Sequence, residues 1–304
     1  MHEKRILNDY LSAMLDKDGI SGQFVSNGPL NGGDIDPFGE ETYQKAPGVF
    51  HRYPDRVVFV VTNNCFAYCR FCFRKRYWNR PAPFDLTRAI GYLKNHKQIR
   101  EVLISGGDPL TLSNTKLDKL FKAVRGVPHV EVIRLGTRAL STYPYRVDEN
   151  LAALLGEYFP LWLALHVNHP DEITPEFEKA ATLIRKHGIP MVSQTVLLKG
   201  INDNTETLKS LFCRLVKLGI KPYYLFGCDQ AYGNETYRVS IKRALEIMKS
   251  LRGNVSGLCV PVFSFDLPNG GGKIVLEPNI LKEKKGNRYL FENFEGAVYE
   301  YTDV

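Results

Sequence analysis

Apolar and polar positions along this chain follow two periods that take turns. Short apolar runs predict strands at Val57–Val61, Val102–Ile104, Val130–Leu135, Leu161–Leu165, Pro190–Leu197 and Pro222–Phe226. Between and after them, apolar residues recur three and four apart, which predicts helices. The first helix is marked by Leu86, Ala89, Ile90 and Leu93, and the second by Leu117, Leu120, Phe121 and Val124. A third is marked by Val147, Leu151, Leu154, Leu155 and Tyr158. The fourth opens with Thr174 as N-cap and Pro175 at its first position, and stops before Gly188. The last two are marked by Leu208, Leu211, Phe212, Leu215 and Val216, then by Ile241, Ala244, Leu245, Met248 and Leu251. Strands alternating with helices over short connections predict a parallel sheet with outer helices. Six such units are too few for a closed eight-fold barrel. The predicted fold is therefore α/β, an open (β/α)6 three-quarter TIM barrel with N- and C-terminal extensions.

The two ends depart from this rhythm. Ile6, Tyr10, Leu11, Met14 and Leu15 predict a short amphipathic helix, and residues 21–48, rich in Gly, Pro, Asn and Asp, predict an irregular lead-in. After residue 253 an added strand is predicted at Val260–Phe265 and a final one at Ala297–Tyr301. The expected organisation is an N-terminal helical and irregular extension (1–50), the partial barrel (51–253) and a C-terminal extension (254–304).

Composition narrows the class. With 304 residues, 44% of them hydrophobic, the chain can bury a sizeable core. The charged start Met1-His2-Glu3-Lys4-Arg5 lacks the apolar segment of a signal peptide, and no apolar stretch is long enough for a membrane span. A cytoplasmic protein without membrane partners is expected, with its six cysteines in a reducing compartment. The net charge of +7 fits nucleic acid or anionic small ligands. No RNA-binding aromatic signature or arginine-rich tail is visible, so small ligands are favoured and nucleic acid is not.

The chemistry centres on Cys65, Cys69 and Cys72, spaced C-x3-C-x2-C directly after the first barrel strand. Three soft thiolates at this spacing suit a metal or an iron–sulfur cluster, whereas structural zinc usually takes four ligands. In parallel α/β sheets ligands meet the carboxyl ends of the strands. Cys65–Cys72, Gly106-Gly107-Asp108, Arg134, Arg138, His166, Gln194 and Asp229 all fall at or near predicted strand ends. Gly106 and Gly107 would let a ligand approach the backbone, and Asp108 could accept from an ammonium. Gly270-Gly271-Gly272-Lys273 reads as a flexible surface loop, or as a backbone that passes close to something beside a lysine able to form a Schiff base. Cys213 and Cys259 read as small buried hydrophobes, on a helix and in the added strand.

The cysteine triplet on the loop after a first strand resembles the radical S-adenosylmethionine (SAM) superfamily. The resemblance sharpens with His51-Arg52-Tyr53-Pro54-Asp55-Arg56, Arg74, Ser105-Gly106-Gly107-Asp108, His166-Val167-Asn168-His169-Pro170, Pro222-Tyr223-Tyr224, Cys228-Asp229 and Asp266 through Lys273. Together, from about Asp36 to about Tyr299, these are similar to the lysine 2,3-aminomutase family, enzymes dependent on pyridoxal 5′-phosphate (PLP) and SAM.

That resemblance implies a [4Fe-4S] cluster on Cys65, Cys69 and Cys72 whose open iron binds SAM, with one-electron cleavage to a 5′-deoxyadenosyl radical. It places Gly106, Gly107, Asp108, Arg134, His166 and Gln194 near SAM. PLP would be held by Lys273 with Arg52, Tyr53 and Arg56. Arg74 would bind the substrate α-carboxylate, and Asp229 with Asp266 its distal cation. Two carboxylates point to a basic amino acid, lysine first and arginine next. The implied reaction is migration of the α-amino group to the β-carbon, an intramolecular transfer (isomerase), fed by a donor such as flavodoxin or ferredoxin. The oligomeric state is left open, a homo-oligomer included. Asn204 stands where a zinc-binding cysteine is expected in longer members and no cysteine follows Cys259, so no zinc is expected. Phe226 and Gly227 stand where a tyrosine and a glutamine are common. Two other readings remain: the same cofactors acting on arginine or another cationic amino acid, by isomerisation or desaturation, and a radical SAM enzyme acting on RNA or protein without PLP.

Overall fold

The computed structural model describes residues 7–25, 32–78 and 80–304. Ile6 of the expected N-terminal helix and residues 26–31 of the expected lead-in lie outside the described residues. The single helix predicted at the start is two short ones, α1 (Asp9–Ser12) and α2 (Asp18–Phe24). Asn8 caps α1 by accepting from Leu11 N, and its amide donates to Phe66 O and Thr142 O. Of the apolar residues that marked that helix, Leu11 and Met14 are buried with Ile20, Phe24 and Ala67 of the cysteine loop, and Tyr10 and Leu15 pack against them.

A ten-stranded sheet runs in unbroken sequence order with two unjoined edges, so it is open. It starts with an antiparallel β1 (Gln44–Ala46), β2 (Val49–Tyr53) and β3 (Arg56–Val60). The six βα units then follow as β3, α3 (Leu86–Asn95), β4 (Glu101–Ser105), α4 (Asn114–Arg125), β5 (Val132–Thr137), the short α5 (Ala139–Thr142), α6 (Glu149–Glu157), β6 (Leu161–His166), α7 (Pro175–Lys186), β7 (Met191–Leu197), α8 (Thr205–Lys217), β8 (Ile220–Gly227) and α9 (Ile241–Leu251). Strands β3 to β8 are parallel. β9 (Val262–Leu267) extends them in parallel, and β10 (Gly272–Val275) returns antiparallel to β9. β2 spans residue 51 and β9 with β10 joins from beyond residue 253, so the three expected segments share one sheet.

Each main helix of the units starts on a side-chain cap. Asp85, Ser113, Asp148, Thr174, Asn204 and Ser240 accept from backbone N–H groups of the first turn. Along each strand alternate residues face opposite ways. Phe59, Ile104, Ile133, Leu135, Leu163 and Leu165 face the helices and are essentially inaccessible, as are Phe121, Phe177 and Phe212 opposite them. The other parity (Val58, Leu103, Ser105, Arg134, Gly136, Ala164, His166, Gln194, Val196, Tyr224, Phe226) lines a cavity instead.

Sequence pattern missed β2 because only Val49 and Phe50 of its residues are buried, and Pro54-Asp55 reads as a turn. It also missed β11 (Leu281–Lys285) and β12 (Arg288–Glu292), which with β13 (Val298–Thr302) form a separate antiparallel sheet. β11 is charged and fully exposed, and β12 has only half-buried apolar residues on both of its faces, so no apolar period marks them. Two cysteine expectations need correction. Cys213 is exposed, on the face of α8 opposite buried Leu208, Leu211 and Leu215. Cys259 is buried but ends a 3-10 turn, Gly257–Cys259, ahead of β9.

Candidate active site

The open sheet curls around a cavity of about 600 Å3. Cys65, Cys69, Cys72, Gly106, Gly107, Asp108, Arg134, His166, Gln194, Arg52, Tyr53, Arg56, Lys273, Arg74, Asp229 and Asp266 all line it. Residues up to 221 positions apart in sequence thus meet around one space (Lys273 against Arg52, 273 − 52). Arg134 and Gln194 differ from the expectation of strand ends. Each sits inside its strand, Arg134 third in β5 and Gln194 fourth in β7, and reaches the cavity because its parity faces inward.

The cysteine loop has no regular structure and is held by its neighbours. Arg70 N donates to Gln23 O at 2.9 Å, and Cys72 N to Cys69 O at 3.0 Å. Lys75 Nζ donates to Arg70 O at 2.5 Å and to Asn234 Oδ1 at 2.6 Å, while Asn234 Nδ2 donates to Phe71 O at 2.8 Å. This brace ties the loop to the segment that follows Asp229. Arg138 Nη1 donates to Cys69 Sγ at 2.8 Å. Burial, with Cys69 beside it, pushes the Cys72 thiol up to about 11. Among the described residues no three His, Cys, Asp or Glu side chains are gathered as a metal site. The donor set itself, three soft thiols on one loop facing one cavity, fits an iron–sulfur cluster and suits hard cations poorly.

Beneath the loop lies a buried polar network that the sequence did not announce. Arg138 Nη2 donates to Gln23 Oε1 at 2.5 Å and to Glu172 Oε2 at 3.1 Å, and Gln23 Nε2 donates to Glu172 Oε1 at 3.0 Å. Asn168 Nδ2 donates to Gln23 Oε1 at 3.0 Å. Burial raises Glu172, but the Arg138 guanidinium and the hydrogen bonds from Gln23 and the Asn168 N–H together outweigh it and hold the carboxyl below its ordinary range. His166 is packed edge-on to Phe71, with Nε2 3.0 Å from Asn168 Oδ1. Burial, helped by Arg138, lowers it to about 3, so this imidazole is neutral at neutral pH.

The glycine motif is built differently from the expectation. Cβ atoms on Gly106 and Gly107 would lie 2.2 Å from Thr62 O and 2.2 Å from Asn64 O. These glycines are therefore required by the approach of the 62–64 backbone, and Gly106 also has φ +143°. The Asp108 carboxylate accepts from Leu110 N at 3.0 Å, Thr137 Oγ1 at 2.8 Å and Arg138 N at 2.8 Å. It thus organises the loop and the start of α5.

At the opposite end, β9 and β10 pair Lys273 with Asp266 in register. Lys273 Nζ donates to Asp266 Oδ2 at 2.7 Å and stands 4.1 Å from the Phe226 ring centre. Lys273 N donates to Tyr53 Oη at 2.9 Å. Arg52 Nε donates to Gly270 O at 2.8 Å, and Arg56 lies 4.2 Å over the Tyr53 ring. The triple glycine makes these approaches: a Cβ on Gly270 (φ +77°) would strike Tyr43 Oη at 2.2 Å, and one on Gly272 (φ +86°) would crowd Arg52 at 3.2 Å. The close-passage reading of this stretch fits, and the loose surface loop does not. Arg134 pairs with Glu101, and its buried Nε has no hydrogen-bond partner among the described residues. Tyr224 is pushed up to about 12 by burial and Tyr223, and the fields of Arg134 and Arg56 pull it back. Arg134 therefore groups with Arg56 and Tyr224, two strand positions below Ser105. An orphaned guanidinium N–H among arginines and tyrosines, beside a lysine, fits a phosphorylated aldehyde cofactor such as PLP.

Arg74 and Asp229 occupy the middle. Arg74 is gripped by Glu40, with Nη2 2.6 Å from Oε1, while Nη1 donates to Ser105 Oγ at 3.2 Å. Burial pushes Asp229 up to about 7, with Asp266 and Glu40 adding to the rise and Lys273 opposing it. Glu40 is the main residue that sequence reasoning missed. It lies in a loop without periodicity, and the sole signal was the arginine cluster after Cys72, which needs carboxylates once buried.

Comparison with known proteins bears on the whole cavity. A family model described as the radical SAM superfamily matches residues 59–211, and one described as lysine-2,3-aminomutase matches residues 248–304. An Aquifex aeolicus protein whose assignment as L-lysine 2,3-aminomutase is itself provisional is 46% identical, over 84% of this chain and 70% of that protein. L-lysine 2,3-aminomutase of Clostridium subterminale is 40% identical over 88% of this chain and 65% of its own length. Glutamate 2,3-aminomutase of Clostridioides difficile is 37% identical over 89% and 65%. The chain thus spans about two thirds of the length of the curated relatives it matches. Among solved structures, Streptococcus suis SuiB bound to S-adenosylmethionine superimposes with a TM-score of 0.53 at 14% identity, over 70% of this chain and 48% of SuiB. That likeness establishes the open α/β fold.

Proposed function

The chain belongs to the lysine 2,3-aminomutase family of the radical SAM superfamily, and we propose that it moves the α-amino group of a basic amino acid to the β-carbon, converting L-lysine to β-lysine. The family implies a [4Fe-4S] cluster, SAM and PLP. Bound together, these supply hydrogen abstraction at an unactivated carbon and a carrier for the migrating nitrogen. In this reading Cys65, Cys69 and Cys72 hold the cluster, and the Gly106-Gly107 backbone, His166 and Gln194 border SAM. Lys273, Arg52, Tyr53 and Arg56 hold PLP, with Arg134 reassigned to its phosphate end. Arg74 takes the substrate carboxylate.

The observation that carries the choice of substrate is the carboxylate pair beside Lys273. Asp266 already holds one ammonium, that of Lys273, at 2.7 Å. Asp229 is half-buried and close enough to feel both Asp266 and Lys273. A cation on the distal end of a substrate would meet two carboxylates in a desolvated site, which a neutral or acidic side chain would leave unpaired at a cost. The protein's own work is then positional. Arg74 and the Asp pair fix the two ends of the substrate, Tyr53 fixes the backbone of Lys273, and the curled sheet keeps water from the reacting carbons. A donor such as flavodoxin or ferredoxin supplies the electron, and we place the enzyme in the cytoplasm. Among the described residues no helix is long and apolar enough to cross a membrane.

The test is anaerobic. Reconstituted protein with SAM, PLP and a strong reductant is offered lysine, arginine, ornithine and glutamate separately, and each is searched for a same-mass isomer by chromatography and mass spectrometry. An isomer of lysine is expected. An isomer of arginine alone would move the specificity to a pocket remodelled by Phe226 and Gly227, and a product two mass units lighter would mean desaturation.

A further inference from the structure

Arg74 is a guanidinium of this cavity with its side chain locked from behind. Glu40 takes its Nε–H, at 3.2 and 3.3 Å to the two carboxylate oxygens, and one Nη2–H at 2.6 Å. Ser105 Oγ takes one Nη1–H at 3.2 Å. A guanidinium has five N–H donors, so among the described residues one donor on each terminal nitrogen is left. One free donor on each of two neighbouring nitrogens is the fork that a carboxylate needs for bidentate binding. Glu40 is itself fixed. Arg76 Nη2 reaches its other oxygen at 2.9 Å and also Asp36 Oδ1 at 2.9 Å. The chain Asp36–Arg76–Glu40–Arg74 is almost fully withdrawn from water, with side-chain exposures of 20, 6, 12 and 12%. It starts from the loop at Gly39, whose φ of +60° turns Glu40 inward at the head of a 3-10 helix, Glu40–Tyr43.

The charge count in the cavity follows. Without Glu40, Arg74 would offer a full uncompensated cation, and the space would welcome a second anionic group on the ligand. With it, the arginine is neutralised in the far field yet keeps its fork in the near field. Glu40 also reaches Asp229 electrostatically, so its charge is felt where the distal end of a substrate would lie.

We propose that Glu40 is a positioning and specificity-determining residue: it aims the free fork of Arg74 at the α-carboxylate, and its buried charge joins Asp229 and Asp266 in rejecting an acidic distal group. The inference rests on the reading of this cavity as an amino-acid site, and deepens it. Arg74 supplies the recognition, and Glu40 acts through it.

Two variants separate the two parts. Reconstituted, unreduced holoenzyme is dialysed to equilibrium against labelled L-lysine, L-norleucine and L-glutamate, which share an α-carboxylate and carry a distal charge of +1, 0 and −1. Glu40→Gln keeps the shape and removes the charge. It should shift the lysine-to-glutamate affinity ratio toward glutamate by at least about tenfold, with norleucine between, as expected for one charge acting across a partly screened cavity. Glu40→Asp keeps the charge and shortens the arm. It should hold that ratio within about threefold while weakening all three ligands together by about tenfold, because the fork is no longer aimed. A ratio unchanged in Glu40→Gln, or shifted as far in Glu40→Asp, would overturn the selective role. Unchanged affinities in Glu40→Asp, which also serves if Glu40→Gln does not fold, would overturn the clamp. Wild-type protein that binds none of the three would defeat the amino-acid reading itself, and this inference with it. Wild type that binds lysine while both variants match it defeats the inference alone.

Discussion

On the outer face of β3 to β8, Phe59, Ile104, Leu135 and Leu165 press against helices and carry no polar group. On the inner face of the same strands, Arg134, His166, Gln194 and Tyr224 surround a cavity of about 600 Å3. The two faces are one residue out of phase and obey different physics. The outer face is stabilised by apolar area removed from water and tolerates exchange among residues of similar volume. The inner face holds charges that pairing makes acceptable, as with Arg74 and Glu40, Arg134 and Glu101, Arg138 and Glu172, and Lys273 and Asp266, while Asp229 is left to burial and pushed up to about 7. The outer layer makes the molecule fold, and the inner layer makes it selective.

Substitutions should divide accordingly. The largest effect is expected on the inner face from Cys69→Ala. Bound iron and isomerase activity should fall by about three orders of magnitude or more, while the unfolding midpoint of the metal-free protein moves by less than about 1 kcal/mol equivalent. Full iron and full activity in that variant would erase the distinction between the faces. Lys273→Ala should likewise lose the PLP absorbance band without unfolding. On the outer face, Phe212→Ala on α8 should cost about 3–5 kcal/mol in denaturant unfolding, with PLP affinity unchanged in the folded fraction.

An intermediate effect is expected at Asp229. Asp229→Asn removes half of the carboxylate pair, and kcat/KM for lysine should fall about 100-fold, near 2.7 kcal/mol. The wild-type pH profile sharpens this. A carboxyl raised to about 7 holds a proton below that pH and cannot pair with an ammonium. Lysine binding should therefore strengthen as pH rises through about 7, and Asp229→Asn should flatten that rise. A KM for lysine independent of pH between about 6 and 8 would contradict the raised carboxyl. The smallest effect belongs to Cys213→Ser, exposed on α8, with stability within about 0.5 kcal/mol of wild type and iron content unaltered.

The same contrast explains what could be read from sequence. The outer face repeats with the period of its element, so the spacing of Leu208, Leu211, Phe212 and Leu215 is enough to mark α8. The inner face has no period, and its residues are legible where they fall in a spaced motif, as with Cys65, Cys69 and Cys72. Motif position still does not fix what a side chain touches. Asp108 stands in its motif, yet its carboxylate turns inward to its own loop; Arg134 falls on the inner face as a candidate, yet it stands with Arg56. Gln23 and Glu172 leave no mark in the sequence, and Glu40 only the indirect one of the arginines after Cys72, since each is a lone polar residue whose partner lies far along the chain. Arg74 is 34 residues from Glu40, and Glu172 is 149 from Gln23. β11 and β12 escape for the opposite reason, being strands with almost no buried side to leave a pattern.

The brace from Lys75 through Asn234 to Phe71 joins the cysteine loop to the segment that begins at Asp229. Two sites that share a strut share a thermodynamic cycle. Whatever factor a loaded cysteine loop adds to amino-acid affinity, the bound amino acid must return to the retention of the cluster. The equilibrium partition of iron between the resting protein and a chelator then becomes a gauge of amino-acid occupancy, readable without a single turnover.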